Sequence, residues 1–187
     1  MTRFKFQVLS YKTQAGFTII ELIVTIAIIG SLSAIMFSGE RRNAEGRKLA
    51  LEVQRVVQEI RSTQNSALSS KRSAECGEKV VPYGIYLAMA EPSEYKVVAD
   101  CNKNNNYDAG EAVLKTIKLD VARLESLVTA SGGTATLAVI FLPPQPDVAI
   151  NGDSSSVNRF ASIQFCLAGA STCQTVAVNS KGMVSAR

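Results

Sequence analysis

QAGFTIIELIVTIAIIG, residues 14–30, places one carboxylate, Glu21, in a run that is otherwise uncharged. An isolated charge in apolar surroundings is costly, so such a residue needs a partner or a task. The uncharged stretch around it runs from Phe17 to Phe37, 21 residues in which Glu21 is the one charged side chain. As a helix this stretch rises about 31 Å at roughly 1.5 Å per residue, enough to cross a hydrocarbon core of about 30 Å. A buried helix of a soluble protein would need a second apolar layer, more than a chain of 187 residues readily supplies.

The residues before this run are basic. Arg3, Lys5 and Lys12 precede it, and no acid occurs among the first 16 residues. Without those three, 17 basic and 16 acidic residues remain, so bulk charge gives no support to a nucleic-acid or acidic-substrate partner. The prefix reads as a topology signal that keeps the N-terminus cytoplasmic while the rest of the chain is exported. A secretory signal peptide fits less well, because the apolar run is long and no small-x-small cleavage site comes cleanly after it.

Cys76, Cys101, Cys166 and Cys173 all lie beyond the apolar run. In an exported domain an even count favours two disulfides, for which four cysteines allow three connectivities. Cys166–Cys173 and Cys76–Cys101 is the preferred pairing, and free buried cysteines are the alternative. Histidine and Cys-x-x-Cys spacing are both absent from the sequence, which disfavours zinc and thiol redox chemistry.

No proline occurs between residues 17 and 70, permitting one long helix. Leu49, Val53, Val56, Ile60 and Ala67 form an apolar stripe at helical steps, with Arg47, Lys48, Glu52, Arg55, Glu59 and Arg61 on other faces. Gly39 and Gly46 mark places where that helix could bend or break. From about residue 79, KVVPYGIYLAM, EYKVVAD, AVLKTIKLD, TATLAVIFL, RFASIQFCL and TCQTVAVN read as strands between turn-rich segments. LPPQPDVAI reads as a rigid turn feeding a short strand, and INGDSSS as an exposed hairpin loop. The expected fold is α+β, a long N-terminal helix packed on an antiparallel sheet domain. Its segments are 1–16 (leader), 17–37 (transmembrane), 38–72 (amphipathic continuation) and 73–187 (exported, β-rich).

Gly16, Phe17, Thr18, Glu21 and Leu22, after a short basic leader and before an apolar helix, resemble the N-terminus of type IV prepilins and type II secretion pseudopilins. The resemblance covers residues 1 to about 60. It implies a type IV pilin-like fold, cleavage by a prepilin peptidase between Gly16 and Phe17, and methylation of the new Phe17 amine. It also implies assembly with other pilin or pseudopilin subunits through Phe17 and Glu21, after insertion in the lipid bilayer of the inner or cytoplasmic membrane. The carboxylate of Glu21 would meet the Phe17 amine of a neighbour, a buried pair far less costly than either charge alone. A Glu that snorkels or protonates at the membrane surface is the simpler account. VIFLPPQ and VAVNSKGMV are similar to the pseudopilin H and FimT-like minor pilin group, which points to a minor subunit and brings in DNA uptake or adhesion at a filament tip as the alternative function.

Three further stretches bear on chemistry. DCNKNNNYDAGE presents Asp100, Asn102, Asn104, Asn106, Asp108 and Glu111 at positions 1, 3, 5, 7, 9 and 12 of a twelve-residue loop, the spacing of a calcium loop. Asn105 replaces the usual glycine at position 6, although Asn tolerates a left-handed backbone better than most residues. A polar hairpin loop without metal is the plainer account. Arg41, Arg42, Arg47 and Lys48, and again Lys71 and Arg72, could touch headgroups, neighbouring helices or DNA, but no aromatic residues interleave them. Ser154–Ser156 has no histidine to activate it, so no enzyme and no cofactor besides calcium are expected. Tyr83, Tyr86 and Tyr95 read as packing residues of strands.

Overall fold

The computed structural model describes residues 16–144, 147–154, 159–169 and 171–187, leaving out the side chains of 36–43. The leader residues 1–15, the Gln145–Pro146 step and the Ser155–Ser156 pair therefore lie outside the described residues. The chain divides into two compact units, residues 1–41 and 42–187.

Helix α1 (Ile19–Leu68) begins in the first unit and ends in the second. Thr18 starts it: its carbonyl accepts the Leu22 N–H at 3.2 Å and its hydroxyl accepts the Glu21 N–H at 3.3 Å. Thr18-x-x-Glu21 thus has the sequence and one of the bonds of a capping box, with the carboxylate at the positive end of the helix dipole. The helix continues through Gly39 and Gly46, so the break they allowed does not occur. It stops at Ser70, whose φ of 50° is left-handed. There the N–H groups of Ser70 and Lys71 return to the carbonyls of Ala67 and Ser66 at 2.9 and 3.2 Å, the two bonds of a Schellman stop.

In the second unit the stripe Leu49, Val53, Val56, Ile60 and Ala67 is wholly buried, together with Val57. It packs into one core with the strands beyond it in the chain. These are β1 (Arg72–Ser73), β2 (Lys79–Val80), β3 (Tyr83–Ala88), β4 (Glu94–Ala99), β5 (Ala112–Lys118) and β6 (Ala122–Thr129). After them come β7 (Gly132–Gly133), β8 (Thr136–Phe141), β9 (Val148–Ile150), β10 (Phe160–Leu167), β11 (Cys173–Asn179) and β12 (Val184–Ala186). All pairings are antiparallel.

The antiparallel domain is built from two five-stranded sheets, β5-β4-β3-β8-β9 and β12-β11-β10-β6-β7, beside the small β1-β2 ribbon. Ile85, Leu87, Val139 and Phe141 from the first sheet share the core with Leu124, Leu127, Ile163 and Val176 from the second. The first sheet is buried on its other face too, where Val98, Ala138, Ile140 and Ala149 cluster with Tyr86, Tyr107 and Leu142. Gly84 lies on that face because a Cβ there would stand 2.5 Å from the Val139 carbonyl oxygen and 2.4 Å from Ile140 Cδ1. After β9 the chain makes a two-residue hairpin turn at Asn151 and Gly152, where Ile150 and Asp153 pair antiparallel and exchange both backbone hydrogen bonds, and it then passes from the first sheet to the second.

Polar anchors fix the second part of α1 to both sheets. Glu52, read as surface, is buried: its carboxylate accepts the N–H groups of Asp120, Val121 and Ala122 where β5 turns into β6. Three donors compensate a buried charge that would otherwise be costly. Glu59 pairs with Lys115 of β5 at 3.2 Å, and Arg61 donates to the Val184 carbonyl of β12 at 3.1 Å.

Candidate functional site

Gly16, Phe17 and Thr18 precede the helix in irregular conformation, with Gly16 and Phe17 exposed. Behind them the large apolar side chains of 17–35 are exposed without exception, from 48% at Val24 to 80% at Phe17. They occur on every side of the helix, since Ile19, Ile20, Leu22, Ile23 and Val24 alone cover more than one turn. A helix apolar all round is stable only in apolar surroundings. Its hydroxyls make no demand on those surroundings, because Thr25, Ser31 and Ser33 donate to the carbonyls of Leu22, Ile28 and Ile29 at 2.8–2.9 Å. Glu21 is exposed as well, and its carboxylate is the only charge among residues 17–35. Among the described residues no helix is long and apolar enough to cross a membrane. The expected span reaches Phe37, and the side chains of Met36 and Phe37 lie outside the described residues.

The second candidate lies at the far end of β4. Cys76, in the turn between β1 and β2, is disulfide-bonded to Cys101, which ties that ribbon to the first residues of the Asn-rich loop. The bridge holds the base of the loop, and the pairing is the one preferred from the sequence. Cys166 and Cys173 are directly opposed in the β10–β11 register and form the second disulfide.

Between Ala99 and Ala112, the last register partners of β4 and β5, runs the loop Asp100 to Glu111. Asp100 is completely buried and accepts the N–H groups of Lys103 and Asn104 on Oδ1, at 2.6 and 3.3 Å, and of Asn105 on Oδ2, at 2.8 Å. Asn105 is left-handed at φ 65°, the conformation that position 6 requires. The side-chain oxygens of Asn102 and Asn104 accept the N–H groups of Asn104 and Asn106, both at 2.9 Å. Their amide groups donate to Asp108 Oδ2. The side chain of Asn106 takes no part in this set, and lies against Gly152 in the 150–153 turn. Tyr107 leaves the loop to pack on Tyr86, ring centroids 4.3 Å apart, and covers the outer face of the first sheet.

Glu111 closes the loop. Its Oε2 accepts the Asp108 N–H at 3.3 Å, whereas Oε1 is buried and has no hydrogen-bond partner. Burial pushes this carboxyl above the usual carboxylate range; the Asp108 N–H works against the rise and the Asp100 charge adds to it. Among the described residues no three His, Cys, Asp or Glu side chains converge into a ready-made metal centre. The oxygens form two subsets instead, Asp100 with Glu111 and Asp108 with the two asparagines.

The basic residues do not gather into one patch. Arg47 and Lys48 are exposed near the start of the second unit, and Lys71 and Arg72 lie beyond the end of α1, some 30 Å further at roughly 1.5 Å per helical residue. The side chains of Arg41 and Arg42 lie outside the described residues. Tyr83 and Tyr95 are core residues, the former donating to the Lys71 carbonyl at 3.2 Å.

Sequence reasoning missed two features of these sites. Thr18 was legible as a cap from Thr-x-x-Glu, and the meeting of Asp100 with Glu111 was implicit in a β4–β5 hairpin. Comparison with known families gives one result: residues 11–37 match the prokaryotic N-terminal methylation motif. That match covers less than half of the chain. No curated protein and no solved structure gives a significant match.

Proposed function

We propose that the chain is a structural subunit of a type IV pilus-like or type II secretion-like filament, cut by a prepilin peptidase after Gly16 and methylated on Phe17. The observation that carries this is a methylation motif at residues 11–37 overlapping the first part of α1, where the large apolar side chains of 17–35 are all exposed. The motif supports processing and assembly with other pilin subunits; the exposed surface supports the two environments such a subunit occupies. Before assembly residues 17–37 lie in the lipid bilayer, with the β-rich domain exported, and in the filament the same residues pack on their counterparts in neighbouring subunits. The internal bonding of Thr25, Ser31 and Ser33 suits both settings, because these three hydroxyl donors need no water.

Glu21 has two tasks under this proposal. Within the chain it sits at the capped, positive end of α1. Between chains its carboxylate receives the Phe17 amine of a neighbour, and a bundle that removed either group would leave the other charge buried alone. A place among minor rather than major subunits rests on the VIFLPPQ and VAVNSKGMV segments. No enzymatic role is proposed. The DNA-binding alternative is not taken up, since its basic residues fall near opposite ends of the helical part of the domain. Glu21→Ala tests the pairing: the protein should be made and inserted at normal levels yet be depleted from sheared filaments. Incorporation equal to the unaltered protein would rule the pairing out.

A further inference from the structure

We propose that the loop Asp100 to Glu111 is a calcium site on the exported domain, built on a β-hairpin rather than between two helices. The inference is independent of filament assembly, since every residue it uses belongs to the second unit. In a helix-flanked calcium loop, positions 1 and 12 are brought together by the flanking helices; here the antiparallel pair β4–β5 does that work. Ala99 and Ala112 are register partners, so the next residue on each strand, Asp100 and Glu111, emerges at one mouth.

Glu111 Oε1 is the observation that asks for a ligand. It is buried, accepts no hydrogen bond, and lies beside the carboxylate of a completely buried Asp100. A buried carboxylate oxygen without a donor is strongly unfavourable, and a second carboxylate next to it makes matters worse. A cation between them removes both costs. Asp100 has room for one: a carboxylate offers about four lone-pair sites, and its backbone donors occupy three. Those donors hold the carboxylate in a fixed orientation, with Cys101 clamped behind it by the disulfide. Across the loop the Asn102 and Asn104 carbonyls each retain a lone pair, and Asp108 is drawn to the same side by their amides.

The donor set selects the ion. Every candidate donor is oxygen, the sequence has no histidine, and both cysteines near the loop are in a disulfide, which leaves a hard cation. An irregular loop offering carboxylates, amide oxygens and backbone carbonyls suits the six to eight ligands of calcium better than the strict octahedron of magnesium. With three carboxylates, one of them exposed, the affinity belongs to the range of about 10⁻⁴–10⁻³ M found in extracellular modules.

The test uses the full chain in detergent, with thermal unfolding monitored in chelator, in calcium chloride and in magnesium chloride, and calcium binding measured by titration calorimetry. At calcium near 100 times the dissociation constant the midpoint should rise by roughly 5–10 °C over chelator, with a clearly smaller rise in magnesium. Glu111→Gln should raise the midpoint in chelator, by removing one of two facing charges, and should abolish the calcium-dependent rise. Asp108→Asn, which leaves the buried pair intact, should weaken binding about tenfold or more. A midpoint identical in calcium and chelator with no heat of binding, or a full calcium shift retained by Glu111→Gln, would overturn the site.

Discussion

Two parts of one helix treat the same kinds of side chain in opposite ways. In 17–35 isoleucine, leucine and valine occupy all sides and stay exposed; in 49–67 all of them except the exposed Leu51 keep to one side and are buried to 2% exposure or less. The second part is satisfied within the chain, by the sheets it packs on and by the anchors of Glu52, Glu59 and Arg61. Nothing in the described chain covers the first part. The difference teaches that the helix carries two separable signals, one for folding the exported domain and one addressed to lipid and to other copies of the same segment.

Charges in the first part give the largest expected effect. Ile26→Lys with Ile29→Lys should cost about 5–7 kcal/mol of membrane insertion and remove the chain from the membrane fraction, while domain unfolding stays as before. A matched pair sharpens the contrast. Ile60→Ala should destabilise the domain by about 2–5 kcal/mol in chemical denaturation, and Ile26→Ala should leave it unchanged. Equal effects of the two would break the division of the helix.

Glu52→Ala comes next. It strands three backbone donors at the β5–β6 turn and should cost roughly 1.5–3 kcal/mol, with Glu52→Gln recovering part of the loss. The smallest effect is alkaline. Burial pushes the Tyr95 hydroxyl far above its ordinary value of 10.0, with the charges of Glu59 and Glu52 adding to the rise. Above pH 10 the unfolded chain therefore binds fewer protons than the folded one, and stability falls as pH climbs past that point. Tyr95→Phe should flatten this fall in equilibrium unfolding between pH 9 and 11, and an unaltered slope would show that Tyr95 is not its source.

Periodicity made the helical stripe legible, because the packing of Leu49, Val53, Val56, Ile60 and Ala67 repeats the 3.6-residue turn. It failed for β6, the strand at the centre of the β10-β6 pairing. There the register shifts opposite Gln164 and Phe165, Glu125 becomes the extra residue of a bulge, and the buried positions run Ala122, Leu124, Leu127, Thr129. One inserted residue changes the phase of a period-2 pattern midway, so neither half is long enough to declare a strand. Glu52 failed for another reason. A charge on a helix is read as solvated unless its partner is known, and the three N–H groups that hold it are 68 to 70 residues away. In the loop, the oxygen spacing was visible in the residues themselves; the meeting of Glu111 with the buried Asp100 depends on the β4–β5 register, which spacing does not encode.

The mature N-terminus tests the central claim most directly. Intact-mass and N-terminal peptide mass spectrometry of protein extracted from membranes with an active prepilin peptidase should find the chain beginning at Phe17, with a methyl group on its amine. A chain that still carries residues 1–16 under those conditions would contradict the account.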